Sequence, residues 1–285
     1  MGSAVGVPDR LLIRNITPPD LDALVDAQNR IFEDYVVPVR STRAFFEDFM
    51  KSVGGDLRNV LAAYDDDQIV GYVNPVQDRK KGWIGGIGVL PSYRGKGIGT
   101  RLMAAAERQL GDRGVDEVHL EVIEANQRAE RLYERLGYRP ARKLLCAEGR
   151  PVRFAGYGEA PVRATLAEIL PLHERSYADA CWQRRKPESV IHSSRAAEAY
   201  RVDGGFVMVR TVETSGFIPF LGVLPDKRRE GIGTSLAKFA LTRLHELGAF
   251  KASIFNVEEN EPDLRMIDMF DFKVTMKQIE MKKTL

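Results

Sequence analysis

RGKGIG occupies residues 94–99, and RREGIG occupies residues 228–233. The two hexapeptides lie 134 residues apart, and the same offset aligns what surrounds them. GYV (71–73) meets GFV (205–207), GWI (82–84) meets GFI (216–218), and VLP (89–91) meets VLP (223–225). GIGT (97–100) meets GIGT (231–234), Gly114 meets Gly248, and Asn126 meets Asn260. So many matches in one ungapped register mark a duplicated domain, with a period far beyond that of a solenoid repeat.

The chain length of 285 residues fits two domains. A 44% hydrophobic and 29% charged composition supplies enough apolar material for sizeable cores. A net charge of +2 gives no ground for a nucleic-acid or membrane partner. Cys146 and Cys181 are too few for a disulfide framework or a zinc cluster, so a reducing compartment is expected. His119, His173, His192 and His245 are not at metal-ligand spacing, and no metal is expected. No apolar run reaches membrane-spanning length. The start, MGSAVGVPDR, lacks the apolar core of a signal peptide and has Gly6 where a myristoylation motif wants Ser or Thr. These readings make a cytoplasmic protein, monomer or homodimer, the expectation.

Each copy alternates strands and helices. LLIRNI (11–16) reads as a strand; Thr17, Pro18 and Asp20 then open a helix with Leu21, Leu24, Val25 and Ile31 as its apolar stripe. NVLAAY (59–64) and QIVGYV (68–73) flank an Asp-rich turn and read as a hairpin. WIGGIGVL (83–90) is a further strand, and Leu102, Met103, Ala106 and Leu110 mark a helix after the glycine loop. VHLEV (118–122) alternates as a strand. Ala129, Leu132, Tyr133 and Leu136 share a helical face that ends at Gly137, placed as a C′ glycine. Residues 147–161 read as a linker, giving α+β domains at 1–150 and 160–285.

The loop after WIGGIGVL has a chemical purpose. Gly95, Gly97 and Gly99 permit positive φ and close approach of a ligand. The helix start presents unpaired N–H groups and the positive end of the dipole to an anion, and Arg94 and Lys96 add charge. A phosphate or pyrophosphate suits such a loop. The spacing matches neither a P-loop nor a dinucleotide-binding fingerprint. Gly85, Gly86 and Gly88 inside the preceding strand point to a bulge that parts it from its neighbour.

VLPSYRGKGIGTRL (89–102) followed by LEVIEANQRAERLYERLGYRP (120–140) resembles the GCN5-related N-acetyltransferase (GNAT) superfamily. Arg94, Gly97 and Gly99 match its pyrophosphate motif. Asn126, Ala129, Leu132, Tyr133, Gly137 and Tyr138 match its downstream segment. The resemblance covers nearly all of 1–148 and, more weakly, about 160–285. It implies two tandem domains, each a mixed, mostly antiparallel sheet flanked by helices and split into a V-shaped slot for acyl-CoA. Ile87, Gly88, Val89, Arg94, Gly95, Lys96, Gly97, Ile98, Gly99, Thr100 and Asn126 become the expected acetyl-CoA contacts. A tandem arrangement also resembles mycothiol synthase and some aminoglycoside or polyamine acetyltransferases.

The implied reaction passes an acyl group directly from a CoA thioester to a primary amine, on a small molecule or a peptide N-terminus. An ammonium must lose a proton before it attacks, and the departing thiolate gains one. An amide near Val89 is placed to polarise the thioester carbonyl. Tyr133, neutral well below its pKa and on the inward helical face, fits the acid. Glu121, a carboxylate in mid-strand sharing a face with His119 and Ile123, fits the base; it also resembles the glutamate of ribosomal-protein N-terminal acetyltransferases. Glu33, Asp34 and Glu47, in the first helical region, read as solvated side chains, with attraction of a cationic acceptor as the alternative. A non-enzymatic acyl-CoA sensor is the competing class, and Tyr133 with Glu121 argue against it.

The second copy differs where chemistry is expected. Phe255 stands at the position of Glu121 and Ile267 at that of Tyr133. Arg229 and Glu230 replace Gly95 and Lys96, and Asp271 replaces Gly137, while Arg228, Gly231 and Gly233 remain. Residues 160–285 are therefore expected to be catalytically silent.

Overall fold

The computed structural model describes residues 11–37 and 40–285. The N-terminal decapeptide read above for signal and lipid motifs lies outside them. The chain divides into two compact units, Met1–Ala141 with Glu280–Leu285, and Arg142–Ile279.

The first unit runs β1 (Leu12–Asn15), α1 (Leu21–Ile31), α2 (Arg43–Ser52), β2 (Leu61–Asp65), β3 (Gln68–Asp78), β4 (Lys81–Val89), α3 (Ile98–Gly111), β5 (Glu117–Ile123) and α4 (Gln127–Arg135). Next come β6 (Arg139–Gly149), β7 (Val162–Arg163), α5 (Leu166–Ser176), α6 (Trp182–Arg185), α7 (Pro187–Ser194) and β8 (Glu198–Val202). β9 (Gly205–Val212), β10 (Ser215–Val223), α8 (Ile232–Glu246), β11 (Lys251–Glu258), α9 (Glu261–Met269) and β12 (Lys273–Thr284) complete the chain. In the first unit the strand order is β1-β2-β3-β4-β5, followed by the end of β12. Only β4 and β5 pair in parallel there among the registers described; β1 to β4 are antiparallel neighbours. The second unit repeats the pattern as β7-β8-β9-β10-β11-β6, with β10 and β11 parallel. This is the mixed, mostly antiparallel α+β sheet expected of the sequence.

Local chemistry places the elements. The Thr17 and Asp20 side chains form a reciprocal capping box ahead of α1, which buries Leu21, Leu24, Val25 and Ile31. α3 is capped at its start by Gly97, φ +80°, and lays Leu102, Met103, Ala106 and Leu110 fully inside. Each such leucine contributes roughly 1.5–3 kcal/mol of transfer free energy. Gly137, φ +95°, follows α4 as the expected C′ glycine.

The boundaries of 1–150 and 160–285 need correction. β6 extends through Gly149, so residues 147–149 are strand rather than linker. Residues 142–149 belong to the second unit, where they pair with β11, and Glu280–Leu285 belong to the first, beside β5. Leu285 N–H bonds Asp116 O (2.9 Å), and His119 Nδ1 lies 3.4 Å from Glu280. The offset of 134 maps β6 onto β12, so the last strands of the two copies have changed places.

Candidate active site

β4 and β5 pair only from Lys81↔Glu117 to Ile84↔Leu120. β4 then continues to Val89 and β5 to Ile123 without further register between them. Leu90 N–H bonds Val70 O in β3 (2.9 Å). Since antiparallel backbone groups alternate in direction, the amides of Ile87 and Val89 face the opening that β5 leaves. The strand edge has thus lost its hydrogen-bonding neighbour just ahead of the glycine loop.

That edge, the loop and α4 enclose a cleft of ≈ 550 Å³. Of the expected contacts, Ile87, Gly88, Val89, Arg94, Gly95, Gly97, Ile98, Gly99, Thr100, Asn126 and Tyr133 line it; Lys96 and Glu121 do not. Gly95 and Gly97 have φ of +82° and +80°, the left-handed conformation that glycine adopts without steric cost. The cleft also takes Phe32, Asp34 and Tyr35 from the end of α1, and Arg128 and Arg135 from α4. Sequence reasoning missed Phe32 and Tyr35, whose only signal was aromatic residues just past a helix end.

Arg94 is a strut. Its guanidinium grips Asp34 with two bonds (2.6 and 2.8 Å), and it also bonds Val89 O (3.1 Å) and Ile31 O (2.8 Å). Asp34 therefore serves Arg94 rather than an acceptor, and the Arg94 guanidinium holds its carboxyl below the usual range. Glu47 likewise pairs with Arg43 (3.0 Å). Lys96 lies over the Tyr93 ring, 4.9 Å from its centroid. Asn126 caps α4 by accepting from Ala129 N–H (3.2 Å), and its amide donates to Tyr35 Oη (3.4 Å).

Tyr133 sits in the cleft wall at 7% exposure. Burial, with a smaller contribution from Tyr35, pushes its phenol well above the ordinary value, so it stays protonated. Glu121 is the first residue of β5 beyond the paired segment. It is half-buried, and its Oε2 accepts a 2.6 Å bond from Trp83 Nε1. The strand glycines are explained by packing as well as by the opening. A Cβ at Gly85 would lie 2.3 Å from the Trp83 ring, and one at Gly88 would lie 2.3 Å from Ile31 Cγ2.

The second unit repeats this geometry with other side chains. β10 and β11 pair from Ser215↔Lys251 to Phe217↔Ser253 and then lose register. Arg228, Arg229, Gly231, Gly233 and Thr234 line a cleft of ≈ 940 Å³. Arg228 keeps both backbone bonds of Arg94, to Val223 O (3.3 Å) and Ser176 O (3.2 Å). Arg229 and Asp271 retain φ of +71° and +52° although their glycines are gone, a strain of about 1–2 kcal/mol each. Asp263 also lines the cleft, and burial raises its carboxyl above the usual range.

The parted strand edge is already satisfied in this copy. Tyr177 Oη donates to Leu221 O (2.6 Å) and lies 3.3 Å from Leu221 N, at the position corresponding to Ile87. Arg184 donates to Phe255 O (2.7 Å), Pro219 O (3.4 Å) and Tyr177 Oη (2.7 Å). Pro219 and Phe255 stand where Gly85 and Glu121 stand in the first copy, so one guanidinium bridges the mouth of the opening.

The model of the acetyltransferase (GNAT) family matches residues 21–138. An N-alpha-acetyltransferase of Saccharolobus solfataricus is 29% identical over 145 residues, covering 46% of this chain and 82% of that protein. The mycothiol acetyltransferase of Clavibacter sepedonicus is 30% identical over 136 residues, covering 47% of this chain and 45% of that protein. The match thus spans about half the length of that relative. Among solved structures, a GCN5-related N-acetyltransferase from Sphaerobacter thermophilus superposes with TM-score 0.71 at 19% identity, covering 98% of this chain and 96% of that one. A tandem GNAT protein from the clavulanic acid biosynthesis pathway gives TM-score 0.67 at 14% identity, covering 96% and 98%. The first copy thus matches the GNAT family model over residues 21–138, and the chain as a whole shares the fold of these solved structures. Among the described residues, no helix is long and apolar enough to cross a membrane.

Proposed function

We propose that the first copy is an N-acetyltransferase that moves an acetyl group from acetyl-CoA to a primary amine by direct attack. The observation that carries this reading is one cleft walled by the left-handed glycine loop, the unpaired edge of β4 and Tyr133. The amides of residues 95–100 would hold the pyrophosphate. The pantetheine arm would replace the missing strand neighbour along Ile87–Val89, and Val89 N–H would meet the carbonyl oxygen as it gains charge.

Glu121, outside the cleft lining at the first unpaired position of β5, takes a proton from the incoming ammonium through an intervening water, and the free amine attacks the carbonyl carbon. As the tetrahedral centre collapses, the C–S bond breaks and the sulfur receives the Tyr133 proton; the nitrogen gives its second proton to the Tyr133 phenolate, which restores the phenol, and Glu121 releases the first to solvent. Burial raises the phenol, but it raises a thiol in the same pocket too, so the two remain matched as donor and acceptor. The N-alpha-acetyltransferase relative points to α-amino groups of peptides or small molecules as acceptors.

The second copy is silent in this proposal. Phe255 and Ile267 supply no proton chemistry, and Tyr177 with Arg184 occupies the backbone groups an acyl arm would use. Asp263 adds a carboxylate to the cleft lining, which disfavours a diphosphate. The second copy then has a structural role.

The test is release of free CoA thiol from acetyl-CoA across a panel of amines and peptide N-termini. Tyr133→Phe is expected to lower kcat by roughly 10²–10⁴-fold with acetyl-CoA binding retained. Binding of acetyl-CoA without turnover on any amine, peptide or antibiotic acceptor would favour the sensor reading instead.

A further inference from the structure

We propose that Trp83 is the positioning residue for Glu121, holding its carboxylate at the mouth of the opening between β4 and β5. This rests on the reading of Glu121 as the base. Trp83 is 1% exposed, and its ring runs along β4 over the bare backbone of Gly85. Phe49 of α2 packs beside it at 6.5 Å between centroids. From there the indole N–H crosses to β5 and meets Glu121 Oε2 at 2.6 Å, the length of a charge-assisted bond. An indole donates and never accepts, so this partner favours the ionised carboxylate and fixes its rotamer. Gly85 is the space the ring requires.

The duplication supplies an independent indication. In the second copy both partners have changed together, to Phe217 and Phe255, whose rings stack 6.1 Å apart with an interplanar angle of 23°. The position of Gly85 has become Pro219. Where the base is gone, the donor and the glycine beneath it are gone too. Along β5 the other titratable groups are Glu117 and His119; Glu280 of β12 joins them through His119, at 2.8 and 3.4 Å, and Lys282 of β12 lies 3.9 Å from Glu117.

Two experiments test the assignment in the full chain. In a Trp182→Phe background only one indole remains, and its ¹H–¹⁵N resonance reports the bond without any acceptor. Glu121→Leu is expected to move that resonance upfield and speed its hydrogen exchange; an unchanged resonance overturns the proposal. The second uses Trp83→Phe, the residue the second copy carries at this place. It is expected to lower kcat roughly tenfold, the scale of one charge-assisted bond, with acetyl-CoA affinity unchanged. The acidic limb of kcat/KM should move to higher pH, because the carboxylate has lost a donor to its charged form. In a Glu121→Gln background Trp83→Phe should add nothing. Wild-type turnover by Glu121→Gln removes the base reading itself. An impaired Glu121→Gln beside a Trp83→Phe with unaltered kcat and pH profile removes only the positioning role.

Discussion

Acid should weaken the second unit through His173, by an amount the structure sets. This side chain is fully buried, in ring contact with Tyr177 at 5.1 Å and Phe220 at 5.3 Å. Its Nε2 lies 2.6 Å from Arg184 O, which makes that nitrogen the N–H donor. Nδ1 has no hydrogen-bond partner among the described residues. Protonation would bury a second N–H with nothing to accept it, and burial pulls the pKa from 6.5 down to about 4. The unfolded chain therefore binds a proton more readily than the folded one between these values, and stability falls as pH drops through that window. Between about pH 7.5 and about pH 4.5 the loss is about 2.5 kcal/mol, at 1.36 kcal/mol per unit. His173→Gln keeps an N–H for the Arg184 carbonyl but does not titrate. Urea unfolding at the two pH values, followed by Trp182 fluorescence in a Trp83→Phe background, compares the chain that keeps His173 with its His173→Gln variant. Equal losses in both would refute the reasoning. Because His173 holds the residue that bridges Pro219 O and Phe255 O, the same titration loosens the filling of the second cleft.

Other outcomes follow from the two clefts. Gly97→Val places a β-branched residue at φ +80° and should abolish acetyl-CoA binding by calorimetry, with near-UV dichroism confirming the fold. Asp34→Asn should weaken acetyl-CoA binding, because Arg94 is a strut; tighter binding would show that Asp34 withholds a phosphate ligand. The wild-type chain should bind one acetyl-CoA, and Tyr177→Phe with Arg184→Met should add a second, weaker site; two sites in the wild type would sink the idea of a self-filled slot.

The duplication, the element order and the left-handed glycine loop were legible in the residues because they depend on short-range rules. Gly97 had to turn with positive φ, Gly137 had to end a helix, and the stripe of α3 had to face a sheet, whatever else the chain did. Ten of the eleven expected acetyl-CoA contacts, with Tyr133, share one cleft for that reason. Other features join residues far apart in the chain, and no periodicity records them. Trp83 reaches Glu121 across 38 positions, and Arg94 reaches Asp34 across 60. Arg184 reaches Phe255 across 71. The exchange of β6 and β12 was hidden for a different reason. The two strands descend from one ancestor and bury corresponding positions, Leu145 to Ala147 in one and Ile279 to Met281 in the other. Either would satisfy the edge of β5 or of β11, so the sequence determined that each sheet has such a strand, and only the tertiary structure decided which copy provides it.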